Sequence, residues 1–332
     1  MYRRAFIGAC LTMVLFVAVG MPVAATSTTS AGGTTQAAAL RVRATIPVSF
    51  SPFGIAANPV TNTIYAGIQG SNTVAVISGR TNTVITEVPV GIGPYGVAAN
   101  SVTNTIYVAN ISINTVSVIS GRTNTVVAEV PVGEFPAGVA VNEVTNTIYV
   151  ANISSNTVSV ISGQTNTVVA TIPVGSFAEW VAVNPRTNTV YVTNALDSTV
   201  SVINGQTNTV VATIPAGNFS RGVAVNEVTN TIYVNSANEN AVVVIDGQTN
   251  TVVASVGVGS FPFDGIATNP RLNTIYVANW FSNSVSVIDG RTNTVLATVG
   301  VGSLPQGVAV NTRTNAVYVA NQDSNTVSVL TP

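Results

Sequence analysis

The chain has 332 residues, of which 46% are hydrophobic and only 7% charged, against roughly a quarter charged in an ordinary soluble domain. The formal net charge is −1, every basic side chain is arginine, histidine is absent, and Cys10 is the only cysteine. These facts exclude histidine acid–base chemistry, Ser-His-Asp triads, lysine Schiff bases, His or paired-Cys metal sites and any disulfide within the chain.

Met1-Tyr2-Arg3-Arg4 is a cationic start, and residues 5–25 are almost continuously apolar, interrupted by Gly20 and Pro22. Val23-Ala24-Ala25 gives the small-residue pattern of a signal-peptidase site, so residues 1–25 are expected to be a signal peptide cleaved after Ala25. The alternative is an uncleaved membrane anchor, because the run is just long enough to span a bilayer. Either reading makes the protein exported: extracellular, periplasmic or on the cell surface. Residues 26–40 are small and polar and read as a flexible linker.

From residue 41 the chain repeats. Tyr65, Tyr107, Tyr149, Tyr191, Tyr233, Tyr276 and Tyr318 recur at spacings of 42 residues, once 43. Each copy holds four short runs rich in Val, Ile, Thr and Tyr, which favour strands. In the second copy these are Gly96–Asn100, Thr105–Ala109, Thr115–Ile119 and Thr125–Val130, separated by Asn, Gly, Pro and Ser. No helical period appears after Ala25. Four strands per repeat of this length make a β-propeller blade. The last copy lacks its fourth strand, and Arg41-Val-Arg-Ala-Thr-Ile-Pro-Val48 matches the fourth-strand segment Val211-Ala-Thr-Ile-Pro215. The expected architecture is therefore all-β: a closed seven-bladed propeller over 41–332 of four-stranded antiparallel blades, the N-terminal strand completing the last blade.

Tyr191-Val-Thr-Asn194, with the variants Tyr107-Val-Ala-Asn110, Tyr149-Val-Ala-Asn152, Tyr276-Val-Ala-Asn279 and Tyr318-Val-Ala-Asn321, resembles the signature of the YVTN-repeat β-propeller proteins. Tyr65-Ala-Gly67 and Tyr233-Val-Asn-Ser236 depart from it. The resemblance covers about 290 residues and implies an exported propeller without implying one activity.

The seven copies form an internal alignment. Turns such as Asn58-Pro-Val-Thr-Asn-Thr63 and Gly79-Arg-Thr-Asn-Thr83 hardly change and are expected to be structural, because Asn and Gly accept left-handed backbone and Asn or Thr side chains bond turn amides. The loops at the opposite end vary. The residue entering each first strand is Phe53, Tyr95, Ala137, Glu179, Arg221, Asp264 and Gln306 in turn, and this series is expected to ring the mouth of the central channel. Copy four has Trp180 in place of glycine, copy six has an extra residue near Phe263, and the loop after its second strand offers Trp280 and Phe281.

The candidate binding residues are thus Phe53, Tyr95, Glu179, Trp180, Arg221, Asp264, Trp280, Phe281 and Gln306. Two readings of Glu179, Arg221 and Asp264 stay open: an exposed ion-pair ladder at the rim, or a polar ligand or cation site. The aromatics serve either a contact platform or loop packing. Asn110, Asn152 and Asn218 fit the glycosylation triplet, which chance explains in so Asn/Ser/Thr-rich a chain. The function expected is a monomeric, non-enzymatic scaffold binding a partner protein, peptide or surface glycan on its variable face, with no cofactor or metal. The alternatives are a hydrolase or lyase using Glu179 and Asp264 as acid and base, and a purely structural envelope component. Nucleic acid is disfavoured because the arginines are scattered and offset by acids. Membrane contact is expected only through an uncleaved N-terminal segment.

Overall fold

A computed structural model describes residues 40–332; the expected signal peptide (1–25) and nearly all of the linker (26–40) lie outside the described residues. The described chain folds into seven four-stranded antiparallel sheets. Blades 1 to 6 occupy residues 52–89, 94–131, 136–173, 178–215, 220–257 and 262–300 in order. Blade 7 takes residues 305–331, and Arg41–Pro47 supplies its outermost strand by pairing antiparallel with Thr326–Thr331. The clasp expected from the sequence is therefore present. Among the described residues no helix is long and apolar enough to cross a membrane.

Strands run one or two residues beyond the apolar runs that mark them. In blade 2 they are Pro94–Asn100, Thr105–Asn110, Thr115–Ser120 and Thr125–Pro131. In the first two strands the extension is a bulged entry in which Pro94 pairs with Asn110 before the regular register resumes at Val97 and Val108; Ser120 and Pro131 extend the others by pairing with Thr105 and Thr115. The second and third strands are buried on both faces, because neighbouring blades cover each sheet. This is why the repeat is apolar without a simple alternation. Each interface is a shared core: Tyr65, Val74 and Val76 of blade 1 pack with Val97, Ile106 and Ile119 of blade 2. Ile46 of the clasp enters the core between blades 7 and 1 with Ile55, Ile68, Val327 and Val329. Each such side chain contributes about 1.5–3 kcal/mol on burial.

Two rings of side-chain hydrogen bonds close the circle. At the constant end the amide of Asn58 donates to Oδ1 of Asn104 at 2.9 Å, and its own Oδ1 accepts from the Val60 and Thr61 amides. The same inter-blade bond recurs through Asn100–Asn146, Asn142–Asn188, Asn184–Asn230, Asn226–Asn273 and Asn269–Asn315, and Asn311 returns to Asn62 at 2.7 Å. The acceptor asparagines are left-handed, as the turn chemistry requires (Asn62 φ 53°, Asn104 φ 53°). At the variable end the amide of each entry-loop residue donates to the preceding blade, as Phe261 does to Oδ1 of Asn240 and Ser51 to Oδ1 of Asn325. The inner strands pack so closely that a Cβ on Gly54 would stand 2.0 Å from the Tyr95 carbonyl oxygen, and one on Gly307 would stand 2.5 Å from that of Phe53. No side chain fits there.

Candidate functional site

The entry loop of every blade is held at two points, the amide and the carbonyl of its central residue. Its central residue is left-handed, and in four blades it is a phenylalanine: Phe135, Phe177, Phe219 and Phe261, with φ between 54° and 60°. Phenylalanine rarely adopts this conformation, and it persists only where the surroundings over-determine it. Here the Phe261 amide is bound by Asn240, and its carbonyl accepts from the Trp280 amide at 3.1 Å. The loops that vary in sequence thus share one rigid backbone. The sequence reading missed these phenylalanines; the pattern Gly-x-Phe ahead of the first strand was the available signal.

The seven-residue series does gather at one level of the inner strands, but it does not line an open mouth. Phe53, Ala137, Glu179, Arg221, Asp264 and Gln306 are all buried. Arg221 of blade 5 lies between two carboxylates. Its Nη1 is 2.7 Å from Glu179 Oε2 in blade 4, and its Nε is 3.3 Å from Asp264 Oδ1 in blade 6. Tyr95 of blade 2 reaches across the axis and donates its hydroxyl to Asp264 Oδ2 at 2.9 Å. The Tyr95 ring packs on Phe53 at 4.1 Å and lies 6.1 Å from Trp180. Gln306 donates to Gln322 Oε1 at 2.8 Å, and Gln322 to Ser51 Oγ. The exposed ladder expected at the rim is therefore a buried cluster. The physical reason is the close approach of the inner strands, which leaves these side chains no route outward.

Burial sets the electrostatics. It lifts the Glu179 carboxyl well above the usual carboxylate range, with Arg221 pulling the other way. Asp264 is also raised by burial, against the opposing pull of Arg221 and the Tyr95 hydrogen bond. Tyr95 is pushed well above the ordinary phenol value by burial and by the two nearby carboxylates. Both carboxylates engage one guanidinium, so neither is placed as an acid or base facing an open cavity. Among the described residues no three His, Cys, Asp or Glu side chains cluster as a metal site.

The departures of individual copies from the repeat are compensations around this cluster. The inserted Phe263 in blade 6 puts its ring 3.6 Å from the carbon of the buried Arg221 guanidinium, a cation–π contact. Its carbonyl accepts from Asn235 Nδ2 at 2.9 Å, and Asn235 is one of the two residues, with Ser236, by which Tyr233-Val-Asn-Ser236 departs from the signature. In blade 4, where Trp180 replaces glycine, the Trp180 amide donates to Oγ1 of Thr193 at 3.1 Å. Thr193 is the threonine of Tyr191-Val-Thr-Asn194.

From Phe263 the aromatic contacts continue to the surface. Phe263 stacks on Trp280 at 5.3 Å, and Trp280 on Phe281 at 4.7 Å, with Phe261 beside them. Trp280 is half-buried, whereas Phe281 is exposed. Two clefts open elsewhere: one of about 560 Å³ beside Asp197 and Thr213, and one of about 470 Å³ between Val141, Val183 and Glu227. Of the glycosylation triplets, Asn110 and Asn152 are buried and bond Ser117 and Ser159, while Asn218 is exposed.

No family model matches the chain, and no curated protein does. Among solved structures it is similar to Kuenenia stuttgartiensis hydrazine synthase, with a TM-score of 0.76 at 21% identity over 90% of this chain and 98% of that one. At that identity the likeness shows the fold alone. The chain is a seven-bladed β-propeller. The resemblance to YVTN-repeat proteins rests on its motifs.

Proposed function

We propose that this is an exported, non-enzymatic propeller that binds a partner protein or peptide on its variable face. One observation carries the reading. Apolar side chains stand exposed on the loops of several blades at that face: Phe50 at 69%, Leu196 at 63%, Ile92 at 54% and Phe281 at 42%. They ride on backbone fixed by the hydrogen bonds described above. Rigid apolar anchors spread over one face suit a broad partner, because little conformational freedom is lost on contact. Trp280 is stacked with Phe263 and Phe281, so it braces the loop that carries Phe281. The locked state of Glu179 and Asp264 supports the non-enzymatic reading, and the apolar residues 5–25 support export.

Comparing wild type with the Phe281→Ser/Leu196→Ser variant in affinity capture from envelope extract tests this. A specific protein partner should be lost by the variant while its melting temperature stays unchanged. Recovery of the same proteins by both would reject the reading. Turnover of a lactone or glycoside panel that disappears with Asp264→Asn would replace it by the enzymatic one.

A further inference from the structure

The end of the propeller opposite the variable loops is charged unevenly. The turns joining first to second strands and third to fourth strands all lie at this end. Arg41 lies here too, because it pairs with Thr331 at the far end of the last strand. From blade 6 through blade 7 to blades 1 and 2, the exposed Arg271, Arg291, Arg313, Arg41, Arg80 and Arg122 face two carboxylates, Asp289 and, at the edge with blade 3, Glu143, which accepts from the Ser101 amide at 2.6 Å. That half carries a net charge of +4. The remaining turns of blades 3 to 5 carry Glu227 and Asp246 against Arg186, a net charge of −1.

Aliphatic side chains stand on the turns of this whole end: Val102 is 73% exposed, Val60 and Leu272 are more than half exposed, and so are Val144 and Val228 of blades 3 and 5; the arginines surround only the first three. These three sit on turns held by Asn58, Asn100 and Asn269, and the core makes no use of them. Rigid aliphatic tips between guanidinium groups match a surface that is anionic outside and apolar just beneath. Nucleic-acid phosphates would take the arginines but offer the aliphatic tips nothing.

We propose that the arginine-rich half of the constant end, formed by blades 6, 7, 1 and 2, docks on an anionic lipid surface. Docking there turns the variable face away from the membrane toward its partner. The inference concerns the opposite face from the proposed partner site and stands or falls independently of it.

The test uses residues 26–332, the chain expected after cleavage, which contains no cysteine, with an environment-sensitive fluorophore attached through Val102→Cys, and in a second protein through Phe281→Cys. Each is mixed with vesicles of phosphatidylcholine alone and of phosphatidylcholine with phosphatidylglycerol. The label at position 102 should brighten and shift to the blue with the anionic vesicles only, and salt should reverse it. The label at position 281 should not respond. Each of Arg80→Gln, Arg122→Gln and Arg313→Gln should lower partitioning about fivefold, the effect of one arginine near such a surface. No response at 102, an equal response to neutral vesicles, or a response at 281 instead would overturn the proposal. Duplex DNA bound through the same arginines, with position 102 silent toward vesicles, would reassign the surface to nucleic acid.

Discussion

Tyr95 and Asp264 stand on blades 2 and 6 and meet across the propeller axis, the phenol donating to Oδ2 at 2.9 Å. The bond ties two blades that share no interface. Replacing Tyr95 by Phe keeps the ring packed on Phe53 but leaves a buried carboxylate oxygen with one partner fewer. The expected cost is about 1–3 kcal/mol. Chemical denaturation measures it, and an unchanged midpoint would show that Asp264 does not need the contact.

Arg221 supports both carboxylates, so its removal should be graver. Arg221→Met preserves much of the volume but leaves Glu179 and Asp264 facing each other without a cation. The expected loss is about 3–5 kcal/mol, and combining it with Glu179→Gln and Asp264→Asn should restore most of it. The loss should depend on pH. A carboxyl raised by folding binds more protons in the folded state than in the unfolded one. Its contribution is therefore present below the ordinary carboxylate range and is lost as pH rises from there through the folded value. Glu179 and Asp264 are both raised by burial, and the guanidinium limits the rise. Without it the window widens, so the gap in melting temperature between Arg221→Met and wild type should be widest at neutral pH and narrow on acidification. A gap constant across pH would mean that lost packing, not charge, sets the effect.

Trp180 and Thr193 should behave as a coupled pair. Thr193 Oγ1 accepts from the Trp180 amide, a bond that blades 2, 3, 6 and 7 do without because they carry glycine and alanine there. Trp180→Gly and Thr193→Ala each disturb the pairing, whereas the double variant restores the pattern of those four blades. A double-mutant cycle should show a coupling of about 0.5–3 kcal/mol. Additive losses would show that the two departures arose independently.

The fold was legible because each repeat states the same four strands seven times, and because Arg41–Val48 supplies the strand that the last copy lacks. The ring series was legible too, since the alignment of copies isolates Glu179, Arg221 and Asp264 at one position. What could not be read was their depth. Composition makes a charge before a strand look like a rim residue, whereas the glycine that follows Arg221 and Asp264 brings the next blade's backbone into contact and seals them inside. The contact of Tyr95 with Asp264 was also hidden, because it joins blades 169 residues apart in sequence and only closure of the ring brings them together. The substitutions in Tyr233-Val-Asn-Ser236 look like repeat decay until Asn235 is seen holding the inserted Phe263.

The asparagine ring at the constant end separates a turn role from an inter-blade role in one side chain. Asn58 accepts two turn amides through Oδ1 and donates to Asn104 through Nδ2. Asn58→Asp keeps the acceptor and abolishes the donor, so it should cost about 0.5–1.5 kcal/mol, one ordinary hydrogen bond, together with some repulsion from Asn104 Oδ1. Asn58→Ala loses both roles and should cost more. Equal losses would place the whole effect in the turn.

The clasp yields the most severe expectation. Deleting residues 41–47 removes a strand, strips the cover from Val327 and Val329, and exposes the edge of Thr326–Thr331. An unpaired edge of Thr, Val, Ser and Leu is a template for association with another chain. The deleted protein should aggregate or unfold through an intermediate, losing the single cooperative transition. Ile46→Ala is the milder form. It keeps the strand pairing but opens a cavity in the core between blades 7 and 1, where Ile46 is 2% exposed, and should cost about 2–5 kcal/mol. If closure is what makes the ring one folding unit, Ile46→Ala should lower the stability of all seven blades together, visible as a uniform loss of hydrogen-exchange protection. Loss confined to blades 7 and 1 would show that the blades are held by their neighbours and that the circle adds little.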